Sequence, residues 1–243
     1  MLARKSSVCG MSIIELMIGI TIGLFILAGA TLVVTGQLSE GRRLLTDTQI
    51  QQDLRAASDI IARDVRRAGY TGRASLNVWP KAIADGLVNP YADMTSEGSA
   101  MTASGNVVTS NLEYSFSSAN SESGEDNLLK DSEVSGFQYN SRDKTIEIQL
   151  GKGDHGKGNW QALTDPNTVL ITTFKITLSS QYLDVPCGEI CPAVGVAGRP
   201  LQLSVRSVNY LIVGQSTKDP TVQRSISTTV RLRNDVVREK PCC

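Results

Sequence analysis

The chain has 243 residues, and its 24 lysines and arginines cancel its 24 aspartates and glutamates, leaving neither a basic excess for nucleic acid nor an acidic excess for disorder. One histidine, His155, leaves almost no room for chemistry that relies on several imidazoles, such as His-rich zinc sites. Aromatics at 5% leave too little for a base-stacking platform, so no enzyme and no metal or cofactor site is expected.

The first element is apolar. Behind Arg4 and Lys5, an uncharged run extends from Leu16 to Leu38. It exceeds the roughly 20 residues that cross a hydrocarbon core, and the roughly 7–15 of a cleaved secretory signal. The two basic residues predict a cytoplasmic amino terminus and an outward carboxyl-terminal domain. Gly10 stands just before this segment and Glu15 just inside it. A simple anchor requires neither, and a carboxylate in a span is costly unless paired. A cut after Gly10 would give Met11 a new α-amine, about 6 Å of helical rise from Glu15. Each charge could then be satisfied by its counterpart on a neighbouring, axially shifted helix.

The stretch Gly10-Met11-Ser12-Ile13-Ile14-Glu15-Leu16-Met17-Ile18 resembles the class III signal of type IV prepilins and type II secretion pseudopilins. The resemblance implies cleavage by the prepilin peptidase between Gly10 and Met11, N-methylation of Met11, and docking through Glu15. Met11 replaces the phenylalanine usual in that family.

No proline precedes Pro80, so the helix is expected to continue from about Ser12 to Ala68. Leu44, Leu54, Ala57, Ile61, Val65 and Ala68 recur at three- and four-residue steps, an apolar face seeking a sheet. Leu45, Thr48, Gln52, Arg55, Asp59, Ala62 and Arg66 form the opposite stripe. Gly69, behind Arg66-Arg67-Ala68, reads as the stop signal.

Residues 70–108 are turn-rich. Alternating strands are then predicted at Leu112–Phe116, Val134–Tyr139, Lys144–Leu150, Thr168–Leu178, Leu201–Val213 and Val222–Leu232. Together they predict an α+β, pilin-like fold: a long amino-terminal helix packed on an antiparallel sheet. The expected parts are a leader (1–10), a transmembrane half-helix (11–38), an amphipathic half-helix (39–69) and a β-rich periplasmic or extracellular domain (70–243).

Two further segments, Asp64-Val65-Arg66-Arg67-Ala68-Gly69-Tyr70 and Thr228-Thr229-Val230-Arg231-Leu232-Arg233-Asn234, resemble PilW minor pilins. Leu128-Leu129 through Val134–Tyr139 resembles that group and the J-type minor pseudopilins. This likeness implies a non-enzymatic minor pilin in the inner membrane and then at the pilus tip. Its partners would be other minor pilins, the major pilin, the prepilin peptidase and a tip adhesin, in a complex that primes assembly. The pilus would in turn support motility, adhesion or DNA uptake. The alternatives are a J-type pseudopilin of type II secretion, or a membrane-anchored module that binds a surface or DNA.

Cys9 falls in the leader, leaving Cys187, Cys191, Cys242 and Cys243 as disulfide candidates in an oxidising compartment. A bond between the neighbours Cys242 and Cys243 would be strained. The open pairings are Cys187–Cys243 with Cys191–Cys242, the swapped pair, or a local Cys187–Cys191 bridge. Four thiolates also suit zinc, but these spacings do not. Gly151 to Gly158 nearly spells a phosphate-binding loop, yet Gly158 stands where Ser or Thr is required, so a hairpin connection is expected. No calcium-ligand spacing surrounds Asp126 or Asp154. Arg224, Arg231, Arg233, Arg238 and Lys240 cluster late, and Arg231 and Arg233 would share a strand face. A DNA contact there is less favoured than a solvated face balanced by Asp235 and Glu239.

Overall fold

The computed structural model describes residues 10–74, 89–96, 99–100, 107–119, 124–153, 157–185 and 201–239. All the cysteines, together with Asp154, His155 and Lys240, lie outside the described residues. The chain divides into two compact units, Met1–Thr46 and Asp47–Cys243.

Helix α1 spans Ile13–Val65. Its first turn closes on Ser12, whose carbonyl accepts from the amides of Glu15 (3.0 Å) and Leu16 (3.1 Å). Apolar side chains from Ile13 to Leu38 are exposed on every face, and the most apolar stretch, of mean hydropathy 2.4, has no buried residue. This is a candidate membrane span, because lipid is the solvent that such a surface fits.

In the second unit, α1 carries a buried stripe of Ile50, Leu54, Ala57, Ser58, Ile61, Ala62 and Val65. Two expectations need correcting here. Leu44 is exposed, so the stripe opens at Ile50, and Ala62 lies on the buried face and not on the polar stripe. The regular helix ends at Val65, and turns continue it through Ala68 to Gly69.

Two antiparallel sheets stand where one was expected. The strands are β1 (Met94–Ser96), β2 (Ser99–Ala100), β3 (Val107–Thr109), β4 (Asn111–Ser115), β5 (Val134–Asn140) and β6 (Thr145–Lys152). They continue with β7 (Gly158–Ala162), β8 (Val169–Asp184), β9 (Leu201–Ser216), β10 (Gln223–Arg231) and β11 (Val236–Glu239). The first sheet runs β2-β1-β4-β5-β6-β7 and the second β10-β9-β8-β3, with β11 also paired to β9. Lys152 faces Gly158 across the β6–β7 pair, so the phosphate-loop lookalike joins two strands and no helix follows it. The long β8–β9 pair slips register between Ile171 and Thr173. Near this irregularity, a Cβ on Gly214 would stand 2.6 Å from Val169 and 3.2 Å from Leu54, so only glycine lets the helix come this close.

One core joins helix and sheets, with Leu54, Ile61 and Val65 clustered with Leu112, Phe137, Ile146, Ile171, Ile176 and Ile212. Buried Ser58 is admitted to it by a chain of hydroxyls. Tyr210 Oη donates to the Ser58 carbonyl (2.7 Å), Ser58 Oγ lies 2.9 Å from Tyr210 Oη, and Thr228 Oγ1 lies 3.2 Å from Ser58 Oγ. Asp64 plays the matching part toward the first sheet, accepting from Tyr114 Oη (2.6 Å) and Ser135 Oγ (2.8 Å) on one oxygen. Burial, then the Asp64 charge, push the Tyr114 phenol well above its ordinary value, so it remains a donor.

Candidate functional site

The amino-terminal candidates lie together at the start of α1. Gly10 and Met11 precede the helix and are exposed, and Glu15 is an exposed acid in its first turn. A carboxylate there suits the positive end of the helix dipole. The Gly10–Met11 bond thus sits in exposed, non-helical backbone.

The two segments singled out at residues 64–70 and 228–234 are far apart in sequence and converge at the end of α1. Gly69 turns the chain at φ +76°, and a Cβ there would approach Arg206 Nη2 to 3.2 Å. Its amide donates to the Ser115 carbonyl (2.9 Å), and its own carbonyl accepts from Asn89 Nδ2 (2.9 Å). Asn234 Nδ2 donates to the Ala68 carbonyl (3.0 Å), and Arg206 Nη2 donates to the Asn234 carbonyl (3.1 Å). Arg206 also donates through Nη1 to Ala92. Carbonyls that a helix end leaves unpaired are thus satisfied by Asn89 and by Asn234, which Arg206 of β9 holds in place.

Beside this junction lies a polar cluster that sequence reasoning missed. Tyr91, Glu125 and Glu133 are buried, at 0%, 3% and 2% exposure. Tyr91 Oη lies 3.1 Å from Glu125 Oε1 and 3.1 Å from Glu133 Oε2. One phenol hydrogen can serve only one carboxylate at a time. Backbone amides do the rest: Gly72 (3.1 Å) and Asn127 (2.8 Å) donate to Glu125, and Ser118 (2.9 Å) and Lys130 (3.1 Å) to Glu133. Burial pushes both carboxyls up, but the hydrogen bonds outweigh it and hold both below their ordinary value. Burial and the two glutamates push the Tyr91 phenol strongly upward. The sequence signal was faint, since Glu125 sits in a polar loop and Glu133 beside Asp131 and Ser132.

The late cationic cluster does not form one face. β10 ends at Arg231, so Arg233 lies beyond the strand. Arg231 meets Asp235 at 3.0 Å, and Arg224 meets Asp47 at 2.6 Å. Asp126 is occupied as well, 2.7 Å from Lys130.

No curated protein and no solved structure matches the chain. A family model described as prepilin peptidase-dependent protein B does match, over residues 43–232. That span holds the buried stripe, both sheets through β10 and the Arg-Ala-Gly-Tyr junction, but not the Gly10–Glu15 motif, so the two lines of evidence rest on different residues. The chain therefore belongs to the prepilin peptidase-dependent protein B family and is a pilin-like protein.

Proposed function

We propose that this protein is a PilW-like minor pilin of the type IV pilus. The prepilin peptidase cuts it after Gly10, Met11 becomes the methylated amino terminus, and Glu15 docks the subunit against its neighbour. With other minor pilins it forms the inner-membrane complex that primes assembly. It then rides at the tip beside the major pilin and a tip adhesin, so that the pilus can serve motility, adhesion or DNA uptake. It carries no catalytic chemistry of its own.

The observation that carries this reading is the coincidence of Gly10, Met11 and Glu15 with an apolar helix uncovered on every side. In lipid, a carboxylate in the first turn seeks a cation, and a freed amine on an adjacent, staggered chain supplies one. Arg4 and Lys5 favour a cytoplasmic start and a periplasmic domain. A bridge joins Cys187 or Cys191 to Cys242 or Cys243. Val185 donates to the Leu201 carbonyl (3.0 Å) and Glu239 pairs with Leu201 from the other side of β9, so both cysteine-bearing segments lead off from the same end of that strand.

Intact-mass measurement on protein from piliated cells tests the processing: the chain should begin at Met11 and carry one added methyl group. A retained leader there refutes it. Glu15→Ala should leave the cut intact while abolishing co-purification with partner minor pilins. Deletion of the gene should remove surface pili and spare protein secretion, whereas lost secretion with intact pili identifies a J-type pseudopilin.

A further inference from the structure

Alongside the junction at the end of α1 is a cavity of about 410 Å³ whose charge is unbalanced. Arg63, Arg66 and Arg67 line it from the end of the helix, and Arg233 from the segment after β10. Arg67 stacks 3.9 Å over the Phe116 ring and reaches Asp64 at 3.4 Å. Arg63, Arg66 and Arg233 have no ion pair among the described residues.

Three of the nearby carboxylates are already engaged: Asp64 is held by Tyr114, Ser135 and Arg67, and Glu125 and Glu133 are buried against Tyr91 and backbone amides. Ser118, on the wall of the cavity, donates to Glu133, and Ser117 beside it accepts from the Ala119 amide. Guanidinium groups brought together in one concavity repel each other unless an anion enters. Each also offers a planar donor fork that matches a carboxylate.

The shape and the rest of the lining decide which anion. Tyr70, 40% exposed, and Ala119 add apolar wall between the charges, a mixture of arginine and aromatic surface typical of protein interfaces. A nucleic-acid backbone would need a continuing line of cations, and the charge does not continue along β10, where Arg224 and Arg231 are already paired. We propose that this cavity is a docking pocket for an Asp/Glu-bearing segment of a partner protein, with Arg63, Arg66 and Arg233 gripping its carboxylates. The pocket is the same whether or not the chain is cut at Gly10, so it can fail or stand independently of the processing.

The test uses the full chain in detergent, with fluorescein-labelled hexaglutamate and a labelled hexanucleotide as probes, read by anisotropy. Hexaglutamate should bind, and Arg66→Gln with Arg233→Gln should weaken it at least tenfold without moving the unfolding midpoint. The Arg66→Lys, Arg233→Lys pair keeps the charge but loses the fork, and should fall between the two. Arg231→Gln, outside the pocket, should change nothing. The proposal is overturned if hexaglutamate does not bind, or if Arg231→Gln weakens it as much as the pocket variants do. Tighter binding of the hexanucleotide, lost in the same variants, would assign the pocket to phosphodiesters instead.

Discussion

Helix α1 is written in two dialects. Between residues 13 and 38 nearly every position is apolar and all are exposed, whereas between 50 and 65 most of the apolar positions form one buried stripe, with Ala56 and Ile60 outside it. In the first stretch, side chains are chosen for a surrounding medium, so any one of them is replaceable by another of similar hydropathy. In the second, each is chosen for a particular neighbour. Glu15 and Ser58 make the contrast concrete: the Glu15 side chain is exposed, whereas Ser58 is buried and satisfied internally by Tyr210 and Thr228.

The same substitution in both stretches gives the largest separation. Leu54→Ala should cost about 2–5 kcal/mol of domain stability in chemical unfolding of the detergent-solubilised chain, the usual range for a fully packed leucine. Leu27→Ala in the first stretch should change it by less than about 0.5 kcal/mol. Equal losses would erase the distinction. Gly69→Ala, where the stripe ends, should cost about 1–2 kcal/mol, because an L side chain is forced into a left-handed backbone beside Arg206.

A subtler difference is expected with pH. Glu125 and Glu133 have folded values below their ordinary 4.5, so between the two values the unfolded chain binds more protons. Their contribution is complete above about pH 4.5 and is lost as pH falls through the folded values. Tyr91→Phe removes a donor to these carboxylates, which raises their folded values. It should cost about 1 kcal/mol at neutral pH and shift the onset of acid unfolding upward. An unchanged acid limb in that variant would show that the backbone amides alone hold the pair.

Legibility in the sequence followed the same divide. The start of α1 was readable because Gly10, Glu15 and an unbroken apolar run are local features. The longer strands, such as β5 and β6, were readable because alternation is local too. Alternation fixes which face a side chain takes but not which strand it pairs with, so the division into two sheets was invisible. β7 was hidden in a glycine-rich stretch, and β1 to β3 are too short and polar to show a period. Ala62 was misjudged because its small side chain carries little signal, and the burial of Ser58 was not legible because it depends on distant partners. Arg233 was assigned to a strand face that ends at Arg231, and its meeting with Arg63 and Arg66 needed the three-dimensional turn at Gly69.

The ties that close the helix on the sheets also set an order of events during synthesis. Ser58 waits for Tyr210 and Thr228, 152 and 170 residues later, and Ala68 waits 166 residues for Asn234. Until β9 and β10 have been made, the core that covers the stripe from Ile50 to Val65 lacks Val208, Tyr210, Ile212 and Val230 and stays incomplete. Contacts so distant along the chain form slowly, and an uncovered apolar surface invites aggregation in the interval. A newly made subunit should therefore depend on a holdase until its last strands emerge, and a truncation before β10 should remain bound to one.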